Sequence, residues 1–265
     1  TQSAKAKKLA LKAAELLSKR YSEKARIIQV RDWRSGQGEF IIDCCMNIPL
    51  LFWAGETTGD RSYYCKALNH LSRAVECMVR DDASTYQCYK IDEVTGEKIG
   101  GWQGQGYVDE SCWARGQAWI IYGLSVAYTY CRDKDILEMA KRLANYFLNR
   151  LPEDLVCNWD LFFTNDDEQR DTSAAAPAAC GMLELAKWLE PEEGEIYKNA
   201  AITILRSMAK KYSTMGKDSN GLLTDGVYCK DKGNGGLGDD ECCIWGDYFY
   251  LEGLTRLSKD WNMYW

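Results

Sequence analysis

At 265 residues, 46% of them hydrophobic, the chain can bury a large core as one big domain or two small ones. Its net charge is −6 and it carries no basic run or stripe, which argues against nucleic acid and anionic membrane surfaces as partners. The single histidine, His70, lies in an apolar-periodic stretch, so a Ser-His-Asp site or a His-based metal site is hard to build and neither metal nor cofactor is expected.

The pattern predicts eight helices. The first, Ala4 to Tyr21, has an apolar stripe of Leu9, Ala10, Ala13, Leu16 and Leu17 with lysines opposite. A loop from Ala25 to Gly38 follows and carries Trp33. Phe40 to Ala54 reads as a second helix, apolar nearly all round and therefore buried. Pro49 must kink it or sit where a backbone bond is already lost. Asp43 is the only carboxylate in that run. It caps the helix, or it is a buried acid whose raised pKa keeps a proton ready to give.

The third helix runs from about Arg61 to Arg80. Asp81 to Gly106 is a long loop with Tyr86, Gln87, Tyr89, Trp102 and Gln105, and a small hairpin is expected around Tyr89 to Asp92 and Gly96 to Lys98. Long polar-aromatic loops in compact domains are usually functional. Gly106 to Trp119 then opens the fourth helix, with Asp109 and Ser111 as cap residues and the apolar run Ala118 to Tyr130 behind them. Ser111, Arg115 and Trp119 are spaced i, i+4, i+8 and share one face. A guanidinium beside an indole suits an anionic sugar, the first gripping a carboxylate in two hydrogen bonds and the second stacking on the ring. The same spacing also suits ordinary packing.

The fifth helix spans about Asp135 to Leu151. Asn158 to Arg170 is a loop, and Asp171-Thr172-Ser173 caps a sixth helix, Ala174 to Leu189, with Pro177 in its first turn. The seventh is about Glu193 to Tyr212. A glycine-rich loop covers Gly216 to Gly238. Its Gly233 to Gly236 segment is no phosphate loop, because the Lys-Ser/Thr ending and the preceding strand are absent. The eighth helix begins near Asp240 and carries Ile244 to Glu252.

The odd-numbered helices are amphipathic and the even-numbered ones more apolar. That alternation is what a barrel of helical hairpins produces, with an inner and an outer ring; a solenoid of helix pairs gives it too. The twelve cysteines include no Cys-x-x-Cys, and several fall within helical patterns as small apolar residues. Reduced thiols and a cytoplasmic setting are expected, with no signal peptide and no run of membrane-spanning length.

Five segments together resemble the unsaturated glucuronyl hydrolases of glycoside hydrolase family 88. They are Phe40 to Ala54, Gln105 to Tyr107, Ser111 to Trp119, Arg170 to Ala176 and Ile244 to Phe249. A sister family, the unsaturated rhamnogalacturonyl hydrolases of family 105, usually has Asn-Gly where this chain has Gln117-Ala118. The resemblance implies an all-α fold, an (α/α)6 barrel of twelve helices of which about eight are counted here, as a single catalytic domain over 1–265. Two N-terminal hairpins with a second important Asp are then expected to be missing. Apolar surface left exposed on Ala4 to Tyr21 and Phe40 to Ala54 would favour self-association, or pairing with the missing segment. Two positions depart from the family: Gln87 and Gly104 stand where it commonly has His.

The implied substrates are oligosaccharides left by polysaccharide lyases, ending in a uronate with a C4=C5 double bond. Protonating C4 gives a cation shared by C5 and the ring oxygen. Water adds at C5, the ring opens and the glycosidic bond is lost. One carboxyl group suffices if it gives a proton to C4 and takes one from the attacking water, unlike two-carboxylate hydrolysis at the anomeric carbon. The resemblance gives that role to Asp43. Gln105 would orient water or sugar, Arg115 would meet the uronate carboxylate or a neighbouring anionic group, Trp119 would stack, Gln87 would sit at the rim and Trp33 on the far wall. The competing reading is a degenerate helical scaffold that binds sugar or protein without turnover.

Overall fold

All eight expected helices are present in the computed structural model, which describes residues 3–30, 38–230, 238–261 and 263. They are α1 (Ala4–Ser18), α2 (Pro49–Thr58), α3 (Arg61–Met78), α4 (Ala114–Cys131), α5 (Lys134–Asn149), α6 (Thr172–Ala186), α7 (Pro191–Lys211) and α8 (Ile244–Ser258). Their burial alternates. Every residue from Ala114 to Ala127 in α4 and from Thr172 to Leu185 in α6 is buried, which is the fate of a helix apolar on all sides. Helices α3, α5 and α7 bury one stripe each and turn charge outward. The inner neighbours run from α2 through α4 and α6 to α8, and α1, α3, α5 and α7 pack outside them. No helix among the described residues is long and apolar enough to cross a membrane.

Phe40 to Ala54 is not one helix. Glu39–Ile41 is a strand, β3; Ile42–Met46 is a 3-10 helix; and α2 begins only at Pro49. Proline at the first helical position costs nothing, because that N–H has no helical partner anyway. Strand β3 is the edge of a three-stranded antiparallel sheet with β4 (Cys88–Ile91) and β5 (Lys98–Trp102), so the expected hairpin gains a third strand. A second short pair, β1 (Tyr21–Ser22) and β2 (Ile27–Ile28), lies where a loop was expected. Its Ile28 N–H donates to Nδ1 of buried His70 at 2.9 Å, and burial pushes that imidazole down to about 3, so His70 is a neutral structural group.

Helix α4 also starts later than its cap signals suggest, at Ala114 with Trp113 as N-cap. Asp109 accepts from Gln103 N at 3.0 Å, and Ser111 donates to the buried carboxylate of Asp160 at 2.6 Å. Both build the loop before the helix instead of capping it. Arg115 and Trp119 still share a face; Ser111 lies off the helix. In α6, Asp171 is the N-cap, accepting from Ser173 N at 2.9 Å, while Pro177 stands in the second turn and leaves the Ser173 carbonyl without its helical partner. All twelve cysteines are free thiols.

Candidate active site

The N-terminal ends of α4, α6 and α8 meet at one end of the inner layer, beside the 3-10 helix. Asp43 stands in the first turn of that 3-10 helix. Ile42 N–H donates to Gln87 O at 2.8 Å and so ties the segment to the start of β4. The Asp43 Oδ2 atom is sealed from solvent and accepts no hydrogen bond. Burial raises the pKa of this carboxyl above its ordinary value, against the opposing pull of the nearby Arg115 charge, the Asp43 backbone N–H and the Trp119 indole N–H. Trp119 Nε1 is likewise sealed and lacks a hydrogen bond of ordinary geometry. The indole N–H and the carboxyl thus face each other without closing a hydrogen bond of ordinary geometry.

Arg115 is engaged inside the protein. The residue is 2% exposed. Nη1 donates to Ser173 Oγ at 2.9 Å and to Val227 O at 2.5 Å, Nη2 donates to Tyr228 O at 2.8 Å, and Asp171 Oδ2 lies 3.5 Å from Nη1. The ring of Trp113 lies 4.5 Å below the guanidinium carbon and that of Trp245 at 5.4 Å. The expected two-pronged grip on a uronate is therefore not open to both Nη groups as they stand. The helix face puts Arg115 at the site, but the carbonyls of the 227–228 segment reach it first.

Gln87, expected at the rim, is 5% exposed and lies behind Gln105. Its Nε2 donates to Gln105 Oε1 at 2.7 Å, and its Oε1 accepts from Gln105 N–H at 2.5 Å. Gln105 is half-buried, and its Nε2 donates to Tyr228 O at 2.5 Å. Trp119 is 5% exposed with its ring tilted against Phe249 at 5.5 Å, so its indole edge, not an open face, is what it offers beside Asp43. Trp33 lies outside the described residues. The structure thus brings Asp43, Gln87, Gln105, Arg115 and Trp119 together.

Several residues escaped the sequence reading. Asp171, legible as a helix cap, is a fully buried carboxyl beside Arg115, its pKa raised by burial against the pull of Arg115 and Ser173. Its place beside Arg115 could have been guessed, since inner-helix N-termini share one end. Tyr228 and Trp245 stack at 5.5 Å and 4° and stay 43% and 38% exposed, giving an aromatic surface next to Arg115 and Gln105. Tyr228 sits in the glycine-rich loop, where no periodicity could single it out. Cys88 lies near Asp43, and burial pushes its thiol up to about 12, so it stays protonated.

A model of glycosyl hydrolase family 88 matches residues 1–234. The chain is 47% identical over 273 residues to the unsaturated chondroitin disaccharide hydrolase of Streptococcus agalactiae, covering 98% of this chain and 66% of that protein. It is 41% identical over 268 residues to the unsaturated glucuronyl hydrolase of Bacillus sp. (strain GL1), covering 98% and 70%. The crystal structure of an unsaturated glucuronyl hydrolase from Streptococcus agalactiae superposes with a TM-score of 0.93 at 45% identity, over 99% of this chain and 67% of that one. The chain spans about two thirds of the length of these curated relatives. On the family model and on these identities over nearly its whole length, the chain belongs to glycosyl hydrolase family 88.

Proposed function

We propose that this chain carries the proton-transfer centre of an unsaturated glucuronyl hydrolase. Its substrates would be lyase-derived oligosaccharides with an unsaturated uronate at the non-reducing end, in keeping with relatives named unsaturated chondroitin disaccharide hydrolase and unsaturated glucuronyl hydrolase. The observation that carries the reading is Asp43 Oδ2, sealed from solvent beside the Trp119 indole N–H and attached to a carboxyl whose pKa burial raises. An acid whose burial makes it hold its proton to higher pH than a free carboxyl is shifted in the direction that protonation of C4 requires.

In this reading Asp43 gives its proton to C4, and the positive charge is shared between C5 and the ring oxygen. A water adds at C5 and returns a proton to Asp43. The resulting hemiketal opens by breaking the C5 to ring-oxygen bond, and the exposed hemiacetal carbon then releases the rest of the oligosaccharide. The Arg115 charge and the N-terminal ends of α4, α6 and α8 make this end of the layer favourable to the uronate carboxylate. The Trp119 N–H and Gln105 would orient the sugar or the water, and the exposed stack of Tyr228 on Trp245 offers a surface for a neighbouring ring. The twelve free thiols suit a reducing compartment such as the cytoplasm.

The test is incubation with an unsaturated chondroitin disaccharide in D2O. Loss of ultraviolet absorbance with deuterium entering at C4 at early times supports the reading. Binding of the disaccharide with its double bond left intact would overturn it in favour of a non-catalytic sugar-binding scaffold.

A further inference from the structure

We infer that Gln87 is a positioning residue that acts through Gln105, fixing which end of the Gln105 amide faces the site. The kinetic consequence rests on the hydrolase reading above; the geometry does not. An amide can usually turn over with little change in shape, so its orientation has to be imposed by partners of fixed polarity. Here the imposition can be followed bond by bond. The backbone N–H of Gln105 only donates, so the Gln87 atom 2.5 Å away must be the carbonyl oxygen. The other end of Gln87 is then the NH2 group, which donates at 2.7 Å, so the Gln105 atom it meets must be Oε1. That leaves Gln105 Nε2 donating to the Tyr228 carbonyl at 2.5 Å, which can only accept, and the same carbonyl takes Arg115 Nη2 at 2.8 Å.

The chain of bonds is anchored at both ends by backbone groups, and every link agrees. Gln87 is 5% exposed, so its place is behind the sugar-facing amide. It is also joined to the proton donor's own segment, because its carbonyl accepts from Ile42 N–H at 2.8 Å, one residue before Asp43. One residue therefore sets the register between the Asp43 turn and the Gln105 loop. The charged and titratable groups around this chain are Asp43 on the 3-10 helix, Cys88 on β4, Arg115 on α4, Asp109 on Gln103 N and Asp160 on Tyr107 N. No link is itself titratable. A neutral imidazole at position 87 offers one acceptor and one donor and can reproduce the lock; an imidazolium has lost the acceptor.

The experiment compares Gln87→Leu, Gln87→Glu, Gln87→His and Gln105→Ala. In protein labelled with 15N in glutamine side chains, the Gln105 NH2 signals are identified by their loss in Gln105→Ala. We expect them to shift or broaden in Gln87→Leu and Gln87→Glu, to stay near their parent positions in Gln87→His above about pH 7.5, and to move only as that buried imidazole charges, below its ordinary value of about 6.5. In turnover of the unsaturated disaccharide, Gln87→Leu should lower kcat about tenfold or more with a smaller change in KM. Gln87→His should restore kcat relative to Gln87→Leu and add an acid limb that the parent lacks. The double variant Gln87→Leu/Gln105→Ala should be no slower than Gln105→Ala alone. Gln105 NH2 signals unmoved by Gln87→Leu, or losses that multiply in the double variant, would overturn the inference. Gly104→Ala is a milder probe, since its Cβ would press on Gln87 Oε1 from 3.1 Å, and it should move the same signals. A parent without turnover would sink the hydrolase reading, while the NMR shifts would still decide whether Gln87 locks the Gln105 amide.

Discussion

Asp43 is held in a state that the fold pays for. Its carboxyl is buried with one oxygen unbonded, and its pKa is raised by that burial. The folded protein therefore keeps this proton to higher pH than the unfolded chain, where Asp titrates near about 3.9. Stability linked to Asp43 is intact below that unfolded value and is lost as pH rises through the raised folded one. Asparagine resembles the protonated acid and does not titrate. Asp43→Asn should thus melt close to the parent at acid pH and increasingly above it as pH rises, while turnover falls by about 100-fold or more, as for loss of a general acid. Thermal melts across pH and an ultraviolet assay check both; a variant that melts lower than the parent at neutral pH would contradict the burial argument. Arg115 poses the opposite case. Arg115→Ala leaves Asp171, which is fully buried, with its main counter-charge gone, and frees the carbonyls of Val227 and Tyr228. We expect about 3 kcal/mol or more of destabilisation in urea titrations. Asp171→Asn in the Arg115→Ala background should recover part of it, because the uncompensated charge is gone.

At the scale of elements, the inner helices are packed backbone to backbone, and two glycines make this visible. A Cβ on Gly181 of α6 would lie 2.9 Å from Tyr122 Cα on α4, and one on Gly123 of α4 would lie 2.6 Å from Cys45 O on the 3-10 helix. Neither neighbour is the tip of a flexible side chain, so the helices themselves would have to part. Gly181→Ala and Gly123→Ala should each cost about 1–3 kcal/mol despite the better helix propensity of alanine, measured as a lower urea midpoint. The latter should also slow turnover, since it pushes on the turn that holds Asp43. These elements were unevenly legible in the sequence. Long periodic helices such as α3, α5 and α7 declare themselves, and Arg115 and Trp119 could be placed on one face from spacing alone. The segment around Asp43 could not be read that way. Strand β3 is three residues long and exists because β4 pairs with it from far along the chain, and apolar runs of that length look the same in a strand and in a buried helix. The burial of Gln87 and the capture of Arg115 by the 227–228 segment were illegible for the same reason, since both depend on loops arriving from elsewhere. Asp171, by contrast, was found in the right place and given only half its role.

Across the whole molecule, the inner row has two ends, α2 and α8, and both present apolar surface. On α8, Ile244, Tyr248 and Leu251 are 74%, 46% and 57% exposed at a spacing that puts them on one side of the helix. At the other end, a groove of about 940 Å3 runs between α1 and α2, lined by Ala10, Ala13, Leu17, Leu50 and Trp53 among others. None of the described candidate site residues lines it. Leu9 and Leu16 of α1 are 62% and 53% exposed, as expected of an end hairpin without a further neighbour, whereas Leu51, Phe52 and Ala54 of α2 are buried after all. Apolar stripes of this extent favour association, with each buried methylene contributing about 0.8 kcal/mol. The α8 face and the α1–α2 groove are different surfaces, so contact of one with the other between copies need not close into a dimer. We expect this 265-residue chain to self-associate without a fixed stoichiometry, more strongly in ammonium sulfate, which strengthens apolar burial. Ile244→Lys with Leu251→Glu should reduce association while leaving Asp43 and its surroundings untouched. Sedimentation velocity over a range of concentrations decides the matter. A single monomeric boundary at the highest concentration, with or without added sulfate, would show that these faces do not drive contact between copies.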